Sequence, residues 1–171
     1  MADQKKSTPP IIESLKKGKK AVQKINGSDS TQIKFIILKE KSGKPESHMT
    51  PIEKMEISHH GVSKNDLEGM KKILGVDYDR LGEALSVTRA TLINKKGTDK
   101  FHPLLSERII SLADIYSYGY EVFGDEQNFN SWMLTENKAL GWKKPYDVMS
   151  NQFGREEVKN IIGRIAWGVF S

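Results

Sequence analysis

The sequence predicts an all-α protein: a helix-turn-helix bundle, then a small helical domain, with a poorly ordered basic segment in front. Three observations carry this. From Ser63 onward, apolar residues recur every three or four positions, the spacing of one helix face. Ser, Thr, Asp and Gly stand at the ends of those runs, where helix caps belong. Residues 1–60 instead scatter short apolar patches among Lys, Ser, Gly and Pro, too thinly to offset chain entropy. The expected units are residues 1–60, 61–119 and 120–171, a fair division for a chain of 171 residues.

In the first unit, Ile11, Ile12 and Leu15 have weak helical spacing before Gly18. Gln32 to Leu38 has the length and content of one short strand, which would lack a partner. In the second, Ser63 or Asn65 caps a helix through Leu67, Met70, Ile73 and Leu74, stopped by Gly75. Asp77 caps the next, with Tyr78, Leu81, Ala84 and Leu85 on one face. Thr88 caps a third, running through Lys95. After the break at Gly97-Thr98-Asp99, Pro103 suits a first helical turn, and a long helix continues to Phe123 despite Gly119. The third unit opens with a helix from Asp125 to Leu134. A loop (137–141) and a helical turn (145–149) follow. The last helix, Arg155 to Trp167, carries Val158, Ile161, Ile162 and Ile165 on one stripe and ends at Gly168.

The net charge is +5, and the excess sits in residues 1–60, which hold 12 basic and 7 acidic side chains. Such an arm either attracts polyanions through counterion release or serves as a solvated tail. There is no cysteine, which rules out disulfides and thiolate metal sites. No apolar run reaches the length of a membrane span, and the start lacks a secretory pattern, so a cytoplasmic protein is expected. No metal and no cofactor are expected. His59 and His60 are adjacent and point apart, no phosphate-binding glycine loop is present, and Glu156-Glu157 suit a helix start. The protein is not expected to be an enzyme.

The helices at 78–85 and 88–95, joined by a tight turn, match the helix-turn-helix layout, whose second helix enters the major groove. Thr88, Arg89 and Thr91 would face the groove; Asn94, Lys95 and Lys96 would meet phosphates or flanking bases. Arg suits guanine and Asn adenine. The same pair also occurs in purely structural bundles. Ser86 replaces the usual turn glycine.

The last third carries a more specific pattern. Val122-Phe123-Gly124-Asp125, Trp132-Met133, Asn137 and Ala139-Leu140-Gly141 come in order, then Pro145, Asp147, Gly154 and Val158. The series closes with Ile162-Gly163-Arg164-Ile165 and Gly168-Val169-Phe170-Ser171. This stretch resembles the toxin-binding domain of the Xre/MbcA/ParS antitoxin family. The preceding residues, with Thr91-Leu92 and Ser106-Glu107-Arg108, are similar to that family's Xre-type helix-turn-helix. Together the resemblance covers residues 63–171. Gly82 and Ser86 stand where the family usually has alanine and glycine, and Asn94 stands near a position often basic. Phe153 replaces a small residue before Gly154, a change expected to affect packing only.

The resemblance implies an antitoxin that binds a RES-domain, NAD-consuming toxin and covers its active site. It also implies a homodimer within a larger toxin–antitoxin assembly that represses its own operon by binding operator DNA. The expected toxin contacts are Arg164, Trp167, Gly168, Val169, Phe170 and Ser171. They comprise an aromatic anchor, a terminal carboxylate, and the Trp and Arg types that dominate binding hot spots. The C-terminal unit alone is expected to bind the toxin. Trp132 and the 158–165 stripe are expected in the core; Arg164 also suits a structural ion pair, and Phe170 a contact after the helix cap. The alternative function is a stand-alone transcriptional regulator whose C-terminal unit only dimerises.

Overall fold

The computed structural model describes residues 35–38 and 43–168. Among them are seven α-helices and no strand: α1 Pro51–His60, α2 Lys64–Leu74, α3 Tyr78–Leu85, α4 Arg89–Ile93, α5 Pro103–Phe123, α6 Glu126–Met133 and α7 Gln152–Trp167. Three short 3-10 turns lie at Glu46–His48, Lys138–Leu140 and Tyr146–Val148. The fold is all-α, as the periodicity predicts. The helical spacing at Ile11 to Leu15, the first part of the expected strand, and Val169, Phe170 and Ser171 lie outside the described residues.

The capping chemistry follows the sequence closely. Ser63 and Asp66 form a reciprocal capping box at α2, Asp77 accepts from Arg80 N–H at α3, and Thr88 accepts from Thr91 N–H at α4. Gly75, Gly124 and Gly168 close α2, α5 and α7 in the left-handed conformation. Pro103 takes the first turn of α5.

Helix α5 is the axis. Its 21 residues span about 32 Å at 1.5 Å each, and α1, α2, α3, α6 and α7 all pack on it. Leu67, Met70, Leu81, Leu85 and Leu92 join Ile109, Tyr116, Phe129, Met133, Val158 and Ile162 in one core. The expected boundary at 119/120 therefore falls inside a helix, and both halves share that core. Gly119 sits mid-helix for a packing reason: a Cβ there would lie 2.2 Å from the Phe129 ring. The ring meets Tyr116 and Tyr120 edge-on across the gap, at 5.3 and 5.5 Å between centroids.

The described part of residues 1–60 departs from expectation. Residues 46–60 are not a flexible appendage. Thr50 and Glu53 cap α1 reciprocally, Pro51 opens it, and the helix lies along α5. The apolar period missed it because Ile52 and Met55 face outward, 63% and 53% exposed. What holds α1 is partly polar. Asp114 of α5 receives Lys54 from α1 at 2.8 Å and Lys159 from α7 at 2.5 Å. Replacing this mostly buried carboxylate by alanine (Asp114→Ala) strands two ammonium groups. The expected loss is about 2 kcal/mol, below the fully buried case because Lys159 is partly solvated. Denaturant unfolding would measure it.

Phe35 to Leu38 is likewise not a strand. The buried Glu46 carboxylate accepts Ile37 N–H at 3.0 Å and Leu38 N–H at 2.7 Å, doing for this turn what a neighbouring strand would have done. Burial pushes the Glu46 carboxyl above the ordinary value of 4.5, against the pull of those amides. A proton held more tightly in the folded state means that this group's contribution to stability falls as pH rises from 4.5 through the folded value. Glu46→Gln is expected to flatten that part of the melting-temperature profile. Glu46→Ala should cost about 2–3 kcal/mol by orphaning two buried amides.

Candidate functional site

Two surfaces hold the residues singled out from sequence. The first is α4 and the turn before it. Thr88, Arg89, Thr91, Asn94, Lys95 and Lys96 are all exposed, while Leu92 between them is buried. One side of α4 is thus anchored and the other is free to meet a ligand. The helix ends at Ile93, two residues earlier than expected, with Asn94 as its cap. The cause is tertiary: Gly97 O accepts Asn65 N–H and Asp99 O accepts Lys64 N–H, both at 2.9 Å, which draws the chain off the helical path. Lys95 and Lys96 therefore lie on a turn beside an open pocket of about 400 Å³ that Lys64, Asn65, Glu68 and Tyr78 also line.

Three groups that sequence reasoning did not find position this surface. The mostly buried Lys64 ammonium donates to Leu92 O at 2.9 Å, pairs with Glu68 at 3.0 Å and lies 4.3 Å from the Tyr78 ring centre. It ties α2 to the back of α4. Glu68 also accepts from the Tyr78 hydroxyl, the main cause holding its carboxyl below the usual range. Asp79 pairs with Arg89 at 2.8 Å, so the guanidinium is already oriented, though both side chains are largely solvated. No spacing rule signals any of these.

The turn itself is tight. Val87 N–H donates to Gly82 O at 2.9 Å, and a Cβ on Gly82 would come 2.7 Å from Val87 O. Ser86 adopts φ +54°, the conformation for which glycine is usually chosen. It is held there by Arg108, which donates to Leu85 O and Ser86 O at 3.0 and 3.3 Å, and by its own hydroxyl, which donates to Ser150 O. That last bond joins the helix-turn-helix to the loop before α7.

The second surface is the outer side of α7. Arg164 pairs with Glu157 at 3.0 Å, so the structural ion pair weighed from sequence is present; both remain about 40% exposed. Trp167 is 87% exposed at the last position of the helix, and Gly168 follows at φ +73°. The remaining expected contacts, Val169, Phe170 and Ser171, lie outside the described residues. Trp132 is buried, as are Val158, Ile161 and Ile162. Phe153 is a correction: the expected effect on packing is not seen, since the side chain is 81% exposed in the first turn of α7. Among the described residues no three His, Asp or Glu side chains gather at metal-binding distance, and no helix is long and apolar enough to cross a membrane.

Residues 119–168 match the family described as the antitoxin Xre/MbcA/ParS C-terminal toxin-binding domain. The chain is 32% identical over 113 residues to the antitoxin Xre of Yersinia enterocolitica, covering 65% of this chain and 76% of that protein. It is 28% identical over 134 residues to the Prs ADP-ribosylating antitoxin of a Sphingobium species, covering 71% and 83% respectively. Among solved structures, a chain of the M. tuberculosis MbcT–MbcA toxin–antitoxin complex aligns with a TM-score of 0.47 and 19% identity, over 63% of this chain and 96% of that one.

Proposed function

The chain belongs to the Xre/MbcA/ParS antitoxin family, and from that premise we propose that it neutralises a RES-domain, NAD-consuming toxin by covering its active site. It is an antitoxin of a toxin–antitoxin system. The observation that carries the finer reading is the position of the matched toxin-binding stretch, which ends at Gly168, where α7 releases the chain. Val169, Phe170 and Ser171 then form the inserting tail, with Arg164 and Trp167 beside its root. Phe170 supplies apolar contact within the toxin's pocket. The protein acts by binding and not by catalysis, in the cytoplasm, as a homodimer within a larger assembly.

The second half of the proposal is repression of its own operon. Six exposed residues around α4, from Thr88 to Lys96, support it, with Arg89 oriented by Asp79. Base discrimination of roughly 1–3 kcal/mol per bidentate contact is available to Arg89 and Asn94.

The test is direct. The chain is co-expressed with the product of the adjacent gene, and NAD consumption by that product is followed as the antitoxin is added. Consumption should fall to background near stoichiometric addition. Unaltered consumption at saturating antitoxin would overturn the proposal. A mobility shift at two salt concentrations, with and without the partner, separates this reading from a stand-alone regulator, which would bind its operator fully by itself.

A further inference from the structure

The large apolar side chains left exposed among the described residues include three aromatics, Trp142, Phe153 and Trp167, and all three fall within the matched stretch 119–168. They are 64%, 81% and 87% exposed. Nothing in the packing of the described residues accounts for them.

Trp142 shows this most clearly. It follows Gly141 in the turn from Leu140 to Lys143, and the two central residues have φ of +63° and +66°. Lys143 N–H closes the turn on Leu140 O at 3.4 Å, and Trp142 N–H is fixed by Asn137 O at 2.9 Å. Both central positions of such a turn favour glycine or asparagine. A bulky side chain in the left-handed region is an outlier, and here burial does not compensate for it. Residues held in this way cluster where a ligand or partner binds.

Phe153 and Trp167 stand at opposite ends of α7. They are 14 residues apart, about 21 Å along the axis and within about 40° of one another around it. Between them lie exposed Asn160 and the Glu157–Arg164 pair, whose charges already satisfy each other. The strip thus has aromatic ends and a neutral polar middle, and suits a protein offering two apolar depressions about 20 Å apart.

We infer that the toxin is gripped by these three aromatics, Trp142, Phe153 and Trp167, while the tail only blocks catalysis. The inference rests on the toxin-binding reading above. Trp167 is the last residue before Gly168, so any protein that receives residues 169–171 must lie against that end of α7. Trp and other aromatics in such positions carry most of an interface's binding energy, and Phe153 extends the contact a full helix length from the tail.

The experiment titrates the purified product of the adjacent gene with the full chain by calorimetry, alongside melting curves. The double variant Phe153→Ala/Trp167→Ala should bind at least 100-fold more weakly with an unchanged Tm. Trp142→Gly should weaken binding at least tenfold while raising Tm, since it removes the side chain and the unfavourable φ together. A purely structural Trp142 would give the opposite Tm shift. Chain ending at Gly168 should bind within tenfold of the full chain yet leave NAD consumption running. Affinity reduced less than tenfold in the double variant, or a lower Tm for Trp142→Gly, would overturn the inference. Absence of binding by the unaltered chain would instead overturn the toxin-binding reading, and this inference with it.

Discussion

Gly154→Ala is expected to destabilise the fold strongly, at roughly 3 kcal/mol or more. A Cβ at Gly154 would lie 1.7 Å from the carbonyl oxygen of Val148 and 2.7 Å from its carbon. The obstacle is backbone, so no rotamer change relieves it. Nor can the turn move away freely. Met149 O is held by Arg155 at 2.9 Å, Asn151 caps α7 through Gly154 N–H at 3.0 Å, and Tyr146 and Met149 are buried beside Val158. Shifting the 146–149 turn would unseat those side chains. Chemical denaturation should show a lower midpoint with an unchanged slope. A variant as stable as the parent would mean that the turn sits further from α7 than described.

Removal of residues 169–171 is expected to have the largest functional effect: neutralisation lost, fold kept. Gly168 is retained, so its N–H still caps α7 on Ile165 O at 3.0 Å, and the core residues Val158, Ile161 and Ile162 are untouched. Circular dichroism and Tm should match the full chain. NAD consumption by the partner should return to its uninhibited rate. Retained neutralisation by the shortened chain would refute insertion of the tail and move the blocking role to the outer side of α7.

Which features could be read in advance follows from where their causes lie. The ends of α2, α3 and α5 were legible because cap residues act over three or four positions, as Ser63 does with Asp66 and Gly75 at the other end. The end of α4 was not, because Gly97 O and Asp99 O accept hydrogen bonds from the N–H groups of Asn65 and Lys64 at the start of α2, which cuts the helix short. Helix α1 was missed because its anchor is Lys54 on Asp114 and not an apolar stripe. The run Phe35 to Leu38 has strand composition, but a carboxylate nine residues away takes its amides. At the candidate site, the six predicted residues from Thr88 to Lys96 are exposed, but only Arg89 and Thr91 lie on α4 itself. The outward aromatics Trp142 and Phe153 were invisible to the same reasoning, since an apolar residue near a helix is first assigned to the interior.

The continuity of α5 bears on how the protein is lost. The groups that would read an operator surround α4, whose Leu92 joins the shared interior, and α7, which carries groups that would hold a toxin, packs on the 21-residue rod itself. A cut in this rod is expected to disturb both surfaces at once. Cleavage between Ile109 and Tyr116 would part core residues of both halves, so the two are expected to unfold together. An excised fragment beginning at residue 120 would inherit α6 and α7 without the surface they lie upon.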